Sequence, residues 1–113
     1  MEIFGNAPPP INRPQFENHL ERLSEPARAA MVDLRKFVFS LGSNVIEEVK
    51  PHRVAYAKTM NFRIFVDIEP AGDSLVLSIK AGRISRPEIA NVKTTQDIEN
   101  LKKQIAEAYQ KIQ

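Results

Sequence analysis

Histidines and acidic pairs are the side chains of this chain that could hold a metal ion or move a proton. His19 and His52 are the only histidines, and neither has a second ligand at the His-x-x-x-His or Glu-x-x-His spacing of helical metal sites. Glu17 and Glu21 lie four residues apart, which places them on one solvated helix face. Cysteine is absent, so thiolate ligands are excluded. We therefore predict no metal site and no cofactor.

The sequence also lacks the motifs of the common catalytic sites. It contains no Gly-x-Ser-x-Gly turn, no Walker loop and no Gly-x-Gly-x-x-Gly turn. A metal-dependent nuclease would need an acid at a strand end and a Glu/Asp-x-Lys sequence on the next strand. Asp67 and Glu69 supply acids, but the next strand offers Ser78-Ile79-Lys80. We therefore predict that the chain is not an enzyme.

Positive charge is concentrated in the middle of the chain. Residues 1–49 carry five basic and seven acidic side chains, a net charge of −2. Residues 50–93 carry eight basic and four acidic side chains, a net charge of +4, and residues 94–113 balance at three of each. Because phosphate contacts depend on local positive charge, residues 50–93 are where an anionic partner is expected to bind.

The strongest structural pattern is a β-hairpin over residues 61–82. Apolar and mostly polar residues alternate on both sides of Pro70-Ala71-Gly72-Asp73, which is typical of two half-buried strands joined by a turn. Pairing Glu69 with Ser74 places the eight alternating apolar side chains on one face, and a one-residue slip would reverse them. The apolar residues of that face are Phe62, Ile64, Val66, Ile68, Leu75, Leu77, Ile79 and Ala81.

The same register predicts a binding site on the other, outward face of the hairpin. It places Arg63 opposite Lys80, with Phe65 and Val76 beside them. Single-stranded nucleic acids bind such surfaces by placing phosphates on the cations and stacking a base on the ring. The predicted nucleic-acid- or anion-binding residues are Arg53, Arg63, Phe65, Lys80, Arg83 and Arg86.

A second interpretation of an outward Phe65 stays open. The ring and Val76, together with an edge strand near residues 54–57, could contact a partner protein or a second copy of the chain. The two functional hypotheses are therefore weak nucleic-acid or anion binding, and protein interaction or homodimerisation.

Three segments show helical periodicity. The first spans about residues 14–23, and the second begins after an expected N-cap at Ser24 and ends at Gly42. The third begins at Thr94-Thr95-Gln96-Asp97, which has the spacing of a capping box. Each helix carries one apolar stripe, so each is expected to pack on a sheet.

The order of these elements predicts an α+β fold. Residues 45–49 fit a strand or a helical turn, residues 54–57 fit an edge strand, and residues 83–93 resemble a polar loop. We predict a small antiparallel sheet of three to four strands, with an N-terminal helical hairpin and a C-terminal helix packed on one face. Residues 1–13, which include three consecutive prolines, are expected to be a flexible leader to a single domain at 14–113.

The composition is that of an ordinary globular domain, at 42% hydrophobic and 27% charged residues. No apolar run approaches the roughly 20 residues that span a bilayer, and the proline-rich start lacks a signal-peptide pattern. A chain without cysteine fits a reducing compartment. We predict a cytoplasmic protein with no membrane partner.

Three stretches carry a resemblance to a known family: residues 34–49 (LRKFVFSLGSNVIEEV), the Val54-Ala55-Tyr56 and Asn61-Phe62 pair, and residues 94–109. Across about residues 16–113 the chain resembles a small prokaryotic domain family of unknown function, sometimes described as "predicted transport protein". The family has a longer, glycine-bearing segment where this chain has residues 83–93. Its members resemble accessory domains of nuclease-like proteins. The resemblance therefore implies a nucleic-acid context and no catalytic residues.

Overall fold

A computed structural model describes residues 14–58, 63–81 and 86–112. The predicted α+β class is confirmed, with two helices before the sheet and one after it. The leader predicted over residues 1–13 lies outside the described residues. In chain order the elements are α1 (Phe16–Glu21), α2 (Ala27–Ser40), β1 (Val45–Val49), β2 (Val54–Lys58), β3 (Arg63–Pro70), β4 (Leu75–Ile79), β5 (Glu88–Val92) and α3 (Thr95–Lys111).

The strands form one antiparallel sheet in the order β1-β2-β3-β4-β5, so the prediction of three to four strands was too low. β2 lies between β1 and β3 and is not the edge strand that the sequence predicted. β5 was predicted to be part of a polar loop. It pairs with β4 along its whole length, from Leu75 opposite Val92 to Ile79 opposite Glu88.

The predicted N-cap of α3 is confirmed, whereas the predicted N-cap of α2 is wrong. Thr94 caps α3 as predicted, because its hydroxyl oxygen accepts the Asp97 N–H at 3.2 Å. Ser24 does not cap α2, which begins at Ala27 after Pro26. Instead, the Ser24 N–H donates to the carbonyl of Gly72 at 2.8 Å. The segment before α2 is therefore tied to the turn between β3 and β4.

The helices pack on one face of the sheet, which we call the covered face. Its strand residues alternate along the chain, as expected when only one face meets a hydrophobic core. The buried side chains of the covered face include Val54, Tyr56, Val66, Ile68, Leu75, Leu77, Ile79 and Val92. α2 contributes Ala30, Met31, Leu34 and Val38 to this core, and α3 contributes Ile98, Ile105 and Ala108.

The hairpin of β3 and β4 forms, but two residues away from the predicted register. Pro70 pairs with Leu75 and Ile68 with Leu77, because β3 continues through Pro70 and the turn starts at Ala71. Gly72 supplies the positive φ, 80°, that this tighter turn requires. A shift of two residues keeps each side chain on its face, so the apolar pattern alone could not detect it.

An irregularity in β3 changes the position of Phe65. Tyr56 pairs with Val66 but Ala57 pairs with Ile64, which leaves Phe65 without an opposite residue in β2. An extra residue of this kind bends the strand and redirects its side chain. Phe65 is 0% exposed, so its predicted position on the outward face is wrong.

Candidate interaction surface

The cations of the predicted nucleic-acid site that the structure describes lie on or next to different strands and have different neighbours. Arg53 forms an ion pair with Asp67, with 2.7 Å between Nη1 and Oδ2. Arg63 lies opposite Lys58 at the start of β3, not opposite Lys80 as predicted. Lys80 instead follows β4, and its N–H donates to the Phe65 carbonyl at 3.0 Å. Arg86 is exposed at the beginning of β5, and Arg83 lies outside the described residues.

Phe65, the ring expected to stack on bases, contacts α3 instead. Its ring packs edge-on against Tyr109 with 5.3 Å between the ring centroids. The Tyr109 hydroxyl forms a hydrogen bond with Asn44, in the loop before β1. The Lys58 ammonium lies 4.2 Å from the Tyr109 ring centroid and donates to the Ile112 carbonyl at 2.7 Å. These contacts fix the last turn of α3 over the β1–β3 side of the sheet.

A charged network joins β1 to α2 at one edge of the sheet. Arg35 donates two hydrogen bonds to the carboxylate of Glu47, at 2.8 and 2.9 Å, and the Tyr56 hydroxyl donates to it at 2.8 Å. The hydrogen bond from Arg35 to Glu47 raises the pKa of Arg35. Burial, and then the nearby Glu47 charge, raises the pKa of Tyr56 far above its usual range. The donors and acceptors satisfy one another, which is typical of a structural network.

The other edge of the sheet, β5, has no comparable network among the described residues. Of its five residues only Val92 is buried. Ile89 is 66% exposed, and the register with Ser78 places its side chain on the face of the sheet away from the helices. An exposed β-branched apolar side chain on an edge strand is a typical feature of an edge that binds another strand.

A groove of about 250 Å³ separates α3 from this edge. Its floor is formed by Ile79 and Ala108, and its sides carry both positive and negative groups. The positive side chains are those of Arg86 and Lys111, and the negative side chains are those of Glu88 and Glu107. The groove is therefore balanced in charge rather than basic.

The face of the sheet away from the helices, which we call the open face, is also mixed in charge. Acidic side chains outnumber cations there, and two of the charges form the Arg53–Asp67 pair. Half-buried apolar side chains lie between them on β1, β3 and β4, namely those of Ile46, Ile64 and Val76. From the register, the open face carries Ile46, Glu48, Ala55, Ala57, Ile64, Asp67, Glu69, Val76, Ser78, Lys80, Ile89 and Asn91.

The histidines lie beside a second cavity, of about 240 Å³, at the opposite end of the sheet. His19 is 2% exposed, and its Nε2 atom is 2.7 Å from the carbonyl of Lys50. This contact holds α1 against the turn between β1 and β2. His52, Arg22 and Glu69 also line the cavity. Within residues 14–58, 63–81 and 86–112, no three acidic or histidine side chains are grouped so that they could hold a metal ion.

Comparison with known proteins identifies no family for this chain. The chain matches no family model, no curated protein and no solved structure. The resemblance carried by residues 34–49 and 94–109 therefore stays a prediction. Among the helices that the structure describes, none has the length and apolar character needed to cross a membrane.

The surface feature that the sequence did not predict is the β5 edge with its groove. Glu88-Ile89-Ala90-Asn91-Val92 has only a short alternation, and the polar residues before it favoured a loop. The available signal was Ile89 itself, because a large apolar residue in a polar segment is less expected in a loop than on a strand. Only the pairing with β4 shows that it lies on a strand.

Proposed function

We propose that the chain is a protein-interaction module that binds another polypeptide through β5 and the adjoining open face. The observation that carries the proposal is Ile89, 66% exposed on a strand that, within the described residues, pairs on one side only. An unpaired edge offers backbone N–H and C=O groups to an added strand, and this is a common mode of peptide recognition. Exposing Ile89 to water has no benefit for folding, whereas a partner strand would cover it.

The composition of the open face supports the same proposal. Half-buried Ile46, Ile64 and Val76 supply apolar contact area, and the polar groups around them can form hydrogen bonds at the rim. Arg53 is neutralised by Asp67 within the chain itself. Such a surface suits a polypeptide, which presents apolar and polar groups of both signs.

The nucleic-acid hypothesis stays a prediction with less support. It was based on a ring flanked by two cations, but Phe65 is buried against Tyr109 and Arg63 is not opposite Lys80. Lys80, Arg63 and Arg86 remain as cations that a phosphate could contact. Because Phe65 is buried, its ring cannot contribute stacking to single-strand binding.

A site-specific photocrosslinking experiment tests the proposal. A photoreactive benzophenone amino acid is placed at Ile89, and, as the matched control, at exposed Ala29 on α2. The full chain is then irradiated in the cells that express it. We expect covalent adducts with a polypeptide from position 89 and none from position 29. Equal yields, no adducts, or adducts with nucleic acid from position 89 would contradict the proposal.

A further inference from the structure

We propose that the polypeptide bound at β5 is a second copy of this chain, whose own β5 adds antiparallel to the first. This inference rests on the proposed interaction function and names the partner. The two sheets, of five strands each, would join into one continuous sheet, with all the helices on the same side. The arrangement has two-fold symmetry, which is the commonest symmetry of protein dimers.

The length of β5 selects the register of this pairing. Residues directly opposite each other share a face of a sheet, so a symmetric pair of strands must have one residue opposite its own copy. Centring the pair on Ala90 matches all five residues of β5, with Glu88 opposite Val92 and Ile89 opposite Asn91 of the second copy. A shift of the centre to Ile89 or Asn91 leaves two strand residues of each copy unpaired.

This register places small and apolar groups where the two copies meet. Ala90 contributes the smallest side chain of β5 at the symmetry axis. The two Ile89 side chains become diagonal neighbours on the open face, a separation that long side chains bridge. Each would cover part of the surface that the other exposes in the single chain.

The charges of the groove are compatible with a copy of themselves. Each side of it carries one cation and one anion, Arg86 and Glu88 at the β5 side and Lys111 and Glu107 on α3. A patch of one sign would repel its own symmetry mate, whereas a patch of both signs can present unlike charges to it. Glu107 and Lys111 are one helical turn apart, so an antiparallel copy of α3 presents them in the opposite order.

The other edge does not compete for this pairing. At β1, Glu47 is held by Arg35 and Tyr56, and every residue of the strand is half-buried. Two-fold pairing through β5 uses the same edge of both copies, so this contact closes at two copies and does not extend into a fibre.

The absence of cysteine allows a direct test of the register. Ala90→Cys places two thiols opposite each other at the axis, within the Cα separation of about 4.4–6.8 Å that a disulfide requires. Ala29→Cys, at an exposed position on α2, is the control. We expect mild oxidation of the purified full chain to link Ala90→Cys into covalent dimers and to leave Ala29→Cys largely monomeric. Equal linking of both variants would overturn the register.

Sedimentation of the unmodified chain tests the dimer itself. We expect a concentration-dependent mass that reaches two copies, and association weakened about tenfold or more in Ile89→Lys, which sets like charges beside each other. Ala29→Lys adds the same charge elsewhere and should associate like wild type.

A strict monomer at high concentration, or a dimer that Ile89→Lys leaves unchanged, would overturn the inference. If the chain is a monomer and position 89 still crosslinks to a different protein, the second copy is not the partner, and the proposed interaction function stands. If position 89 yields no polypeptide adduct, the interaction function fails as well.

Discussion

The two edge strands of the sheet have the same length but different surroundings. Every residue of β1 is half-buried, and Glu47 binds Arg35 of α2 through two hydrogen bonds. In β5 only Val92 is buried, and Ile89 is 66% exposed. Among the described residues each of these strands pairs on one side only, but β1 is the more buried and is joined to α2 by the Glu47–Arg35 contact. This difference is the reason for proposing β5 as the edge that binds a partner.

The position of α3 explains the groove beside β5. Tyr109 contacts Phe65 and Asn44, and Lys58 binds the carbonyl of Ile112, so the end of α3 is held toward β1, β2 and β3. The space that remains on the other side is the groove beside β5. The groove is thus a consequence of contacts made elsewhere in the fold.

The largest expected effect comes from removing the ring that anchors α3. Phe65→Ala should lower the free energy of unfolding by about 3–5 kcal/mol, because a fully buried aromatic side chain leaves a cavity. Asn91→Ala, at an exposed position on β5, should change it by no more than about 0.5 kcal/mol. Urea denaturation monitored by circular dichroism measures both. Equal, small effects would mean that Phe65 faces solvent, as the sequence pattern first predicted.

The second prediction removes the charge of Glu47, which joins β1 to α2. Glu47→Gln should cost about 1–3 kcal/mol, because it removes the countercharge of Arg35 and weakens the acceptor of the buried Tyr56 hydroxyl. Glu48→Gln is the matched control on the same strand, where the carboxylate only forms a 3.5 Å ion pair with exposed Lys50. It should cost no more than about 0.5 kcal/mol. If the two variants are equally stable in the same urea assay, the Arg35 network does not stabilise the contact between β1 and α2.

Local patterns in the sequence were sufficient for the elements that carry their own signals. The capping box at Thr94 and Asp97 starts α3 where it was expected, and the stripe that includes Leu34 lies in the core. β5 could not be predicted in this way, because Glu88–Val92 becomes a strand only through its pairing with β4. Its β character comes from pairing with the preceding strand, which the short alternation of residues 88–92 does not show.

The candidate site was harder to predict than the fold. A single extra residue in β3 turned Phe65 from the outward face to the core, and no periodicity rule signals such an irregularity. The two-residue shift in the pairing of β3 with β4 separated Arg63 from Lys80 while leaving the apolar pattern intact. The prediction of a basic face with a central ring therefore depended on a register that the sequence left undetermined.

The smallest expected effect concerns the junction between β5 and α3. The Asp97 carboxylate accepts the N–H groups of Lys93 at 2.9 Å and Thr94 at 3.2 Å. These two hydrogen bonds, that from Lys93 first, lower the pKa of Asp97 below its ordinary value of 3.8. Because the pKa is lower in the folded chain, Asp97 contributes stability above pH 3.8, and this contribution is lost as the pH falls through the folded-state pKa.

Asp97→Asn should therefore be less stable than wild type at neutral pH, and the difference should shrink as the solution is acidified below about pH 4. Glu99→Gln, which removes one negative charge from the first turns of the same helix, is the matched control. Urea denaturation across the acid range measures the convergence for each variant. Hydrogen exchange should show that the amides of β5 lose protection in acid before those of β1. The reason is that the Asp97 carboxylate joins the end of β5 to α3. A difference between wild type and Asp97→Asn that stays constant with pH would mean that the charged carboxylate does not stabilise this junction.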